Sequence, residues 1–319
     1  MPLPRLIAGM FLVGLLVSGA GVVCGQTFPS KPLRIVTSEA GGGSDFAARL
    51  MAPRLAEFLG HPVIIDNRGA AVSGELVAKA PPDGHTLILA GPILWLSPFL
   101  RDDVPYDPVR DFSPVALTHT SPNILVVHPS LPVRSVNELI ALAKSKPGAL
   151  NYSSGLKGTP QHLTGELFKA MAKVDIEVIT YRGAGPAINA LIGGEVQIMF
   201  PTPGSVAQHV KSGRLRALAV TSAKPSELLP GLPTVAASVP GYESITIGAI
   251  LAPANTPATI INRLSQEFAR VLGRPDVKEQ FLKTGVEPVG GSPEQLAATL
   301  KSEMAKWGNL IRNTPGMRE

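Results

Sequence analysis

Short apolar runs alternate with amphipathic segments along most of this chain. The run from Leu33 to Val36 has the length of a buried strand, and glycines follow it closely. The next segment carries apolar residues at helical spacing, which indicates a helix that packs one face on a core. These residues are Ala47, Leu50, Met51, Leu55, Phe58 and Leu59. Repetition of the pattern predicts an α/β fold. Further strands are predicted over residues 63–65, 86–90, 115–117, 124–127, 150–153, 176–180, 196–200, 217–220 and 245–251.

Several predicted helices have recognisable first residues. The spacing from Ser135 to Glu138 and from Ser292 to Gln295 is that of a capping box, in which two side chains satisfy backbone N–H groups reciprocally. Thr159-Pro160 and Thr256-Pro257 place a proline at the first helical position, where no N–H is needed.

The first strand-to-helix turn is suited to holding an anion. Gly41, Gly42 and Gly43 let the backbone approach a ligand, and Ser44 and Asp45 open the helix. The unpaired N–H groups and dipole of a helix N-terminus favour negative charge. The motif is not Gly-x-Gly-x-x-Gly and has no Gly-Lys-Ser/Thr, so a nucleotide is disfavoured, and a small carboxylate or a bare anion remains. The alternative is a structural turn with Ser44 as N-cap.

A second loop, residues 151–160, repeats this arrangement. A predicted strand leads into a glycine- and hydroxyl-rich loop, and Thr159 precedes the next helix. The alternative is again a capped loop without a ligand. If the two loops belong to separate halves of the chain, they face each other across a cleft and hold one small anion from both sides.

The first 25 residues have the features of a secretory signal peptide. Basic Arg5 precedes the charge-free stretch from Leu6 to Val23, and small residues precede a cleavage position before Gln26. An uncleaved anchor and a lipid-modified Cys24 are the alternatives. Because Cys24 is the only cysteine, a chain starting at Gln26 has no disulfide and no thiol chemistry.

Other functional classes find little support. The net charge of +5 comes from scattered Lys and Arg, unlike a nucleic-acid-binding surface. The six histidines lack metal-ligand spacing, and we interpret each as a surface or structurally satisfied residue. A serine hydrolase of the penicillin-recognising kind needs Ser-x-x-Lys on a helix. Here Ser154-Gly-Leu-Lys157 lies in a glycine-rich loop, so no catalytic residue, cofactor or metal is predicted.

Several segments, in this order and spacing, resemble the Bug-type solute-binding receptors of tripartite tricarboxylate transporters. The similarity covers nearly all of the chain after the signal peptide. The segments include Lys31-Pro-Leu-Arg-Ile-Val36, Gly-Gly-Gly-Ser-Asp45, Val-Ile-Ile-Asp-Asn-Arg68, Pro-Asp-Gly-His-Thr-Leu87, Pro-Tyr-Asp-Pro-Val-Arg-Asp-Phe112, Asn-Tyr-Ser-Ser-Gly155, Tyr-Arg-Gly183 and Gly-Leu-Pro-Thr-Val235.

The resemblance implies a bilobed, type II periplasmic-binding-protein-like fold, in which two α/β lobes close over a ligand cleft about a hinge. It implies lobe one over residues 26–122 plus 250–319 and lobe two over 123–249. It also implies ligand contacts through backbone amides, hydroxyls and water. The ligand-binding residues carried over are Gly41, Gly42, Gly43, Ser44, Asp45, Gly91, Ser153, Ser154, Thr159, Tyr181, Arg182 and Gly183.

The implied function is capture of a small carboxylate in the periplasm and delivery to the membrane permease subunits of a tripartite transporter. The receptor is expected to be a monomer that binds no nucleic acid, and the alternative role is a ligand sensor for a signalling system. Three loops depart from the family pattern, at residues 37–40, 69–73 and 201–202, and all are expected to face the ligand. The identity of the ligand therefore does not follow from the resemblance.

Overall fold

The computed structural model describes residues 28–37, 43–155, 157–226, 229–314 and Met317. The signal peptide predicted over residues 1–25, including Cys24, lies outside the described residues. So do Gly41 and Gly42 of the first glycine loop and residues 38–40 before them. Among the described helices, none is both long and apolar enough to cross a bilayer.

Strands and helices alternate through most of the chain, as the hydrophobic pattern predicts. The strands are β1 (Leu33–Thr37), β2 (Val63–Asn67), β3 (Thr86–Ala90), β4 (Phe112–Pro122), β5 (Ile124–Val127), β6 (Asn151–Ser154), β7 (Glu177–Thr180), β8 (Ile198–Met199), β9 (Arg216–Val220), β10 (Ile245–Pro253) and β11 (Glu287–Pro288). The α-helices are α1 (Gly43–Leu59), α2 (Ala70–Ala78), α3 (Ile93–Leu100), α4 (Val136–Ser145), α5 (Pro160–Ala172), α6 (Ala184–Ile192), α7 (Pro203–Lys211), α8 (Ala258–Leu272), α9 (Pro275–Lys283) and α10 (Pro293–Asn313). The α/β class is thus confirmed.

The strands form two separate sheets. The first has the order β11-β4-β10-β3-β1-β2, and the second has the order β7-β6-β8-β5-β9. In the first sheet β1 is parallel to β2 and β3, while β10 runs antiparallel to β3 and β4. In the second, β6 is parallel to β7 and β8, and β5 runs antiparallel to β8 and β9. Each sheet with its helices makes one lobe, so the bilobed organisation is confirmed.

The chain passes between the two sheets at two adjacent points. Strand β4 ends at Pro122, and β5 of the other sheet begins at Ile124. The return crossing precedes Ile245, which pairs with Pro122 in the first sheet. The N–H of the intervening Asn123 donates to the Thr221 hydroxyl at 2.8 Å, and that hydroxyl donates to the Ser244 carbonyl at 2.6 Å. The two lobes are thus joined at a pair of adjacent crossings; the hinge expected here and the residue ranges of the lobes stay predictions.

The helix starts that the sequence marks are present with small differences. Ser292 and Gln295 form the complete capping box of α10. The Ser135 hydroxyl accepts from the Glu138 N–H, but the Glu138 carboxylate accepts from the N–H of Arg134 instead of Ser135. Helix α8 begins at Ala258, so Pro257 is its N-cap residue and not its first helical residue. In α5, Thr159 is the N-cap residue and Pro160 follows, as predicted.

Candidate functional site

A cavity of about 710 Å³ lies between the two lobes, within the size range of small-molecule sites. Residues that line it come from both lobes and from the strands that join them. The polar ones are Ser44, Ser73, His119, Ser121, Thr159, Gln161, Thr202, Thr246 and Thr284, and the larger apolar ones are Phe46, Ile88, Leu89, Ile93, Leu94, Ile247, Phe281 and Val286. The cavity is therefore a cleft with hydroxyl groups and an apolar wall.

Helix first turns from both lobes face this cavity. In the first lobe they include those of α1, which begins at Gly43, and of α3, which follows Pro92. In the second lobe they include those of α5 after Thr159, of α6 at Ala184 and of α7 after Thr202. Each first turn offers backbone N–H groups without intrahelical partners and the positive end of a helix dipole. The arrangement places partial positive charge on both sides of the cleft.

The described lining contains no lysine, arginine, aspartate or glutamate. Among the described lining residues, the one ionisable side chain is that of His119. Burial lowers the pKa of His119 from 6.5 to about 4, so the ring is neutral near neutral pH. A ligand anion in this cleft therefore meets backbone N–H groups and hydroxyls instead of a fixed cation. Such a site suits a carboxylate without requiring a salt bridge.

Four of the residues predicted to bind ligand line the cavity. They are Gly43 and Ser44 at the start of α1, Gly91 after β3, and Thr159 before α5. Local signals of a strand end followed by a helix start indicate Gly43, Ser44 and Thr159, because the carboxyl ends of strands and the amino ends of helices meet at one edge of an α/β lobe. Gly91 was predicted only from the family resemblance. Gly41 and Gly42 belong to the residues that are not described.

Asp45 takes part in local structure instead of lining the cavity. Its side chain is buried, it forms an ion pair with Arg49 at 2.8 Å, and it accepts a hydrogen bond from Asn67 at 2.9 Å. These contacts tie the start of α1 to the end of β2. Asp45 thereby fixes the position of Gly43 and Ser44 beside the cleft.

Ser153 and Ser154 lie at the end of β6, beneath the second loop. Both are fully buried. The Ser153 hydroxyl donates to the carbonyl of Ala187 in α6 at 3.1 Å, and the Ser154 hydroxyl donates to the Gly155 carbonyl at 2.8 Å. Neither is among the lining residues. Their contacts hold the loop and α6 in place, and a direct ligand contact stays a prediction.

The turn of Tyr181, Arg182 and Gly183 stands just outside the cavity lining. Gly183 adopts a φ of 116°, a backbone conformation that favours glycine, and the next residue, Ala184, reaches the cavity. Arg182 is exposed. The structure thus brings the backbone after this turn to the cleft, and binding by these three residues stays a prediction.

The residues at the hinge were not foreseen from the sequence. His119 and Ser121 come from β4, Thr246 and Ile247 from β10, and Phe281 and Thr284 from α9 and its end. Nothing in their local pattern indicates ligand contact, because β4 and β10 meet only through pairing of distant segments. Two of the loops that depart from the family pattern also contribute, through Ser73 and Thr202. In the described part of the chain, no three His, Cys, Asp or Glu residues cluster to hold a metal ion.

Replacing Thr159 by alanine is expected to weaken carboxylate binding two- to tenfold, about the value of one neutral hydrogen bond. Thr159 lies at the N-cap of α5 and lines the cavity, so its hydroxyl is placed within reach of a ligand. Titration calorimetry with small carboxylates measures the effect, with Thr299→Ala on α10, outside the cavity lining, as the control. Equal affinity of Thr159→Ala and the parent would show that this hydroxyl does not contact the ligand.

Comparison with known proteins places these features in context. A family model described as tripartite tricarboxylate transporter family receptor matches residues 47–315. The chain is 33% identical over 324 residues to protein BugT of Bordetella pertussis, and the match covers 98% of each chain.

Two solved structures are similar over almost their full length. Rpa4515 of R. palustris, solved with adipate, is 36% identical with a TM-score of 0.78, and the match covers 89% of this chain and 97% of that chain. MatC of Rhodopseudomonas palustris, solved with bound malate, is 28% identical with a TM-score of 0.75, over 89% of this chain and 100% of that chain.

Proposed function

From the premise that this chain belongs to the tripartite tricarboxylate transporter family of receptors, we propose that it captures a small carboxylate in the interlobe cavity. The resemblance to Bug-type receptors and the periplasmic-binding-protein fold predicted from the sequence are confirmed by the same similarities. The observation that carries the proposal is the convergence of helix first turns from both lobes on a cleft whose described lining has no charged side chain. Adipate and malate, the ligands of the two solved relatives, are carboxylates.

The protein acts as a receptor and not as an enzyme. The best candidate for a nucleophile, Ser154, is fully buried and donates its hydroxyl proton to the Gly155 carbonyl. A serine nucleophile needs instead an adjacent base and access to the substrate. Ser154 is the last residue of β6 and α5 begins only at Pro160, so Ser154 and Lys157 do not lie one turn apart on a described helix. This geometry favours binding over acyl transfer.

The receptor works outside the cytoplasm and delivers its ligand to the permease subunits of a tripartite transporter. Family membership supports both statements, since receptors of this family are periplasmic partners of such transporters. N-terminal sequencing of exported protein tests the location. A chain that begins at Gln26 is the expected result, and a lipid-modified Cys24 at the N-terminus would contradict it.

Thermal unfolding in the presence of carboxylates tests the binding function directly. Adipate and malate are the probes, and adipamide is the uncharged control of matched length for adipate. A ligand at about 100 times its dissociation constant stabilises the protein by about 2.7 kcal/mol, which raises the melting temperature. Stabilisation by at least one carboxylate but not by the diamide is expected. If no carboxylate of a broader panel stabilises the protein, the proposed function is wrong.

Closure of the lobes over the ligand depends on close contacts between them. Gly204, at the start of α7 in lobe two, lies against Thr284 in lobe one, and a Cβ added at Gly204 would come within 2.7 Å of the Thr284 carbonyl oxygen. Gly158, with a φ of 77°, packs against Leu100 of α3 in the same manner, at 2.5 Å from an added Cβ. Ligand contacts from both lobes favour this closed arrangement.

Replacing Gly204 by alanine is expected to lower ligand affinity about tenfold, because the added methyl group must push the lobes apart. Small-angle scattering at saturating adipate should show a larger radius of gyration than the parent. Gly193→Ala is the matched control, since a Cβ there meets nothing closer than 3.4 Å. An unchanged radius and affinity in Gly204→Ala would show that closure does not use this contact.

A further inference from the structure

His119 lies at the base of the cavity, on one of the strands that lead to the hinge. Its ring lines the cavity although only 7% of the residue is exposed. A β-bulge sets its position: His119 pairs with Gly248, whereas Leu117 pairs with Ala249, so Thr118 is the extra residue on β4. Bulges of this kind re-aim side chains, and here the bulge brings the side chains of Thr118 and His119 together.

The hydrogen bonds around Thr118 fix which ring nitrogen of His119 carries the proton. The Thr118 hydroxyl lies 2.9 Å from the Gly248 carbonyl oxygen and 2.9 Å from Nδ1 of His119. A carbonyl oxygen only accepts, so the single hydroxyl proton goes to Gly248. Nδ1 must therefore donate to the Thr118 oxygen. In the neutral ring Nε2 is then an unprotonated acceptor, and it has no protein partner in the described part of the chain.

The ring is held firmly in this orientation. A Cβ on Gly248 would lie 2.1 Å from Cε1 of His119, so the imidazole rests directly on the glycine backbone. On α9, the Phe281 ring lies 5.8 Å from the imidazole, measured between ring centroids. Only glycine at position 248 leaves this space, which makes Gly248 the positioning residue for His119.

We propose that His119 is a specificity-determining residue whose Nε2 accepts a hydrogen bond from a hydroxyl group on the bound carboxylate. The helix first turns hold the carboxylate group, and His119 distinguishes a hydroxycarboxylate from its hydroxyl-free counterpart. A buried acceptor left without a donor weakens the binding of that counterpart. The inference rests on the proposed function, because it names the class of carboxylate that the same cavity prefers.

The surroundings of His119 keep the ring neutral. Strand β10 carries no ionisable side chain. On α9, Lys283 and Glu279 are exposed and pair with each other at 2.7 Å, and on β11 Glu287 accepts from the Ser226 hydroxyl at 2.8 Å. With no ion pair to a carboxylate, burial lowers the pKa of His119 to about 4. A second ligand carboxylate at Nε2 would instead require the ring to take up a proton.

Matched pairs of carboxylates that differ by one hydroxyl test the proposal. The pairs are malate and succinate, lactate and propionate, and 3-hydroxybutyrate and butyrate, measured by titration calorimetry on the full chain. In every pair that binds, the hydroxylated member is expected to bind about tenfold more tightly, the value of one well-placed hydrogen bond. Tight binding of carboxylates without this preference overturns the role of His119 and leaves the proposed function intact. If no carboxylate binds, both the role of His119 and the proposed function are wrong.

Variants at His119 assign the preference to this ring. His119→Phe keeps an aromatic ring without an acceptor and should reduce the preference to less than about twofold, whereas His119→Gln keeps an acceptor and should retain part of it. Gly248→Ala should reduce the preference by displacing the ring, and His61→Phe, outside the cavity, is the control. Persistence of the preference in His119→Phe contradicts the proposal.

Proton uptake on binding provides a second readout. Binding enthalpies of the hydroxylated ligands are measured near neutral pH in buffers with different heats of ionisation. A neutral acceptor predicts the same enthalpy in all buffers after correction for dilution. Uptake of about one proton per ligand, which follows if a carboxylate meets an imidazolium, would show that His119 binds an anion and would overturn the proposal.

Discussion

Replacing Gly43 by valine is expected to lower carboxylate affinity at least a hundredfold while leaving the protein folded. Gly43 is the first residue of α1 and lines the cavity, and a Cβ built on it meets no described atom within 4 Å. The Cβ of valine therefore meets no described atom, and the side chain occupies space beside the first-turn N–H groups. Loss of two charge-assisted hydrogen bonds accounts for a change of this size.

Calorimetric titration with adipate and circular dichroism together check this result. Ala269→Val adds a β-branched side chain to the exposed face of α8, outside the cavity, and serves as the control for helix propensity. Gly43→Ala should fall between the parent and Gly43→Val, because its methyl group fills less of the approach. A folded Gly43→Val variant with parental affinity would place the ligand elsewhere.

The second large effect concerns acid stability. Burial lowers the pKa of His119 from 6.5 to about 4, so below pH 6.5 the unfolded chain binds a proton that the folded protein does not. Stability therefore falls as the pH decreases through this window, and it is restored as the pH rises. A difference of about 2.5 pKa units corresponds to about 3 kcal/mol in the free energy of unfolding.

Urea unfolding of the parent and of His119→Gln, measured between pH 6.5 and about pH 4, isolates the contribution of His119 to the pH dependence of stability. Glutamine does not titrate, so the stability difference between the two proteins should change by about 3 kcal/mol across the window. Depressed carboxyl pKa values, such as that of Asp66 beside Arg34 and Arg68, act equally in both proteins and cancel. His162, whose pKa burial also lowers, likewise cancels. If the free energies of unfolding of the two proteins change in parallel with pH, His119 takes up a proton in the folded state as readily as in the unfolded chain.

Local sequence patterns predict those strands whose formation depends mainly on their own residues and not on pairing with distant segments. Strands β3 and β5 occupy the predicted residues, because each is an apolar run bounded by turn-forming or polar residues. Strand β11 was not predicted, since Glu287 and Pro288 form a strand only by pairing with Thr120 and His119 of β4. Likewise β8 covers only Ile198 and Met199 of the strand predicted over residues 196–200.

The candidate site likewise contains residues that local patterns predict and residues that only the pairing of distant segments brings to the cavity. Ser44 and Thr159 were identified from helix-start signals, which act within a few residues. His119 was interpreted as a surface or structurally satisfied histidine, because its place in the cavity depends on a bulge and on a glycine far away in the sequence. Gly248 inside an apolar strand was the one available signal, since an isolated glycine in a strand often marks a bulge or a close approach of another group.

Amide resonances report whether a ligand contacts backbone N–H groups of both lobes. In ¹H–¹⁵N correlation spectra of the full protein, titrated with adipate and with malate, we expect the largest shifts at Gly43 and Ser44 in lobe one. We expect shifts of similar size at Gln161 and Ala184 in lobe two, with saturation at the same ligand concentration. Shifts confined to one lobe, or centred away from these helix first turns, would show that the two lobes do not hold the ligand through these N–H groups.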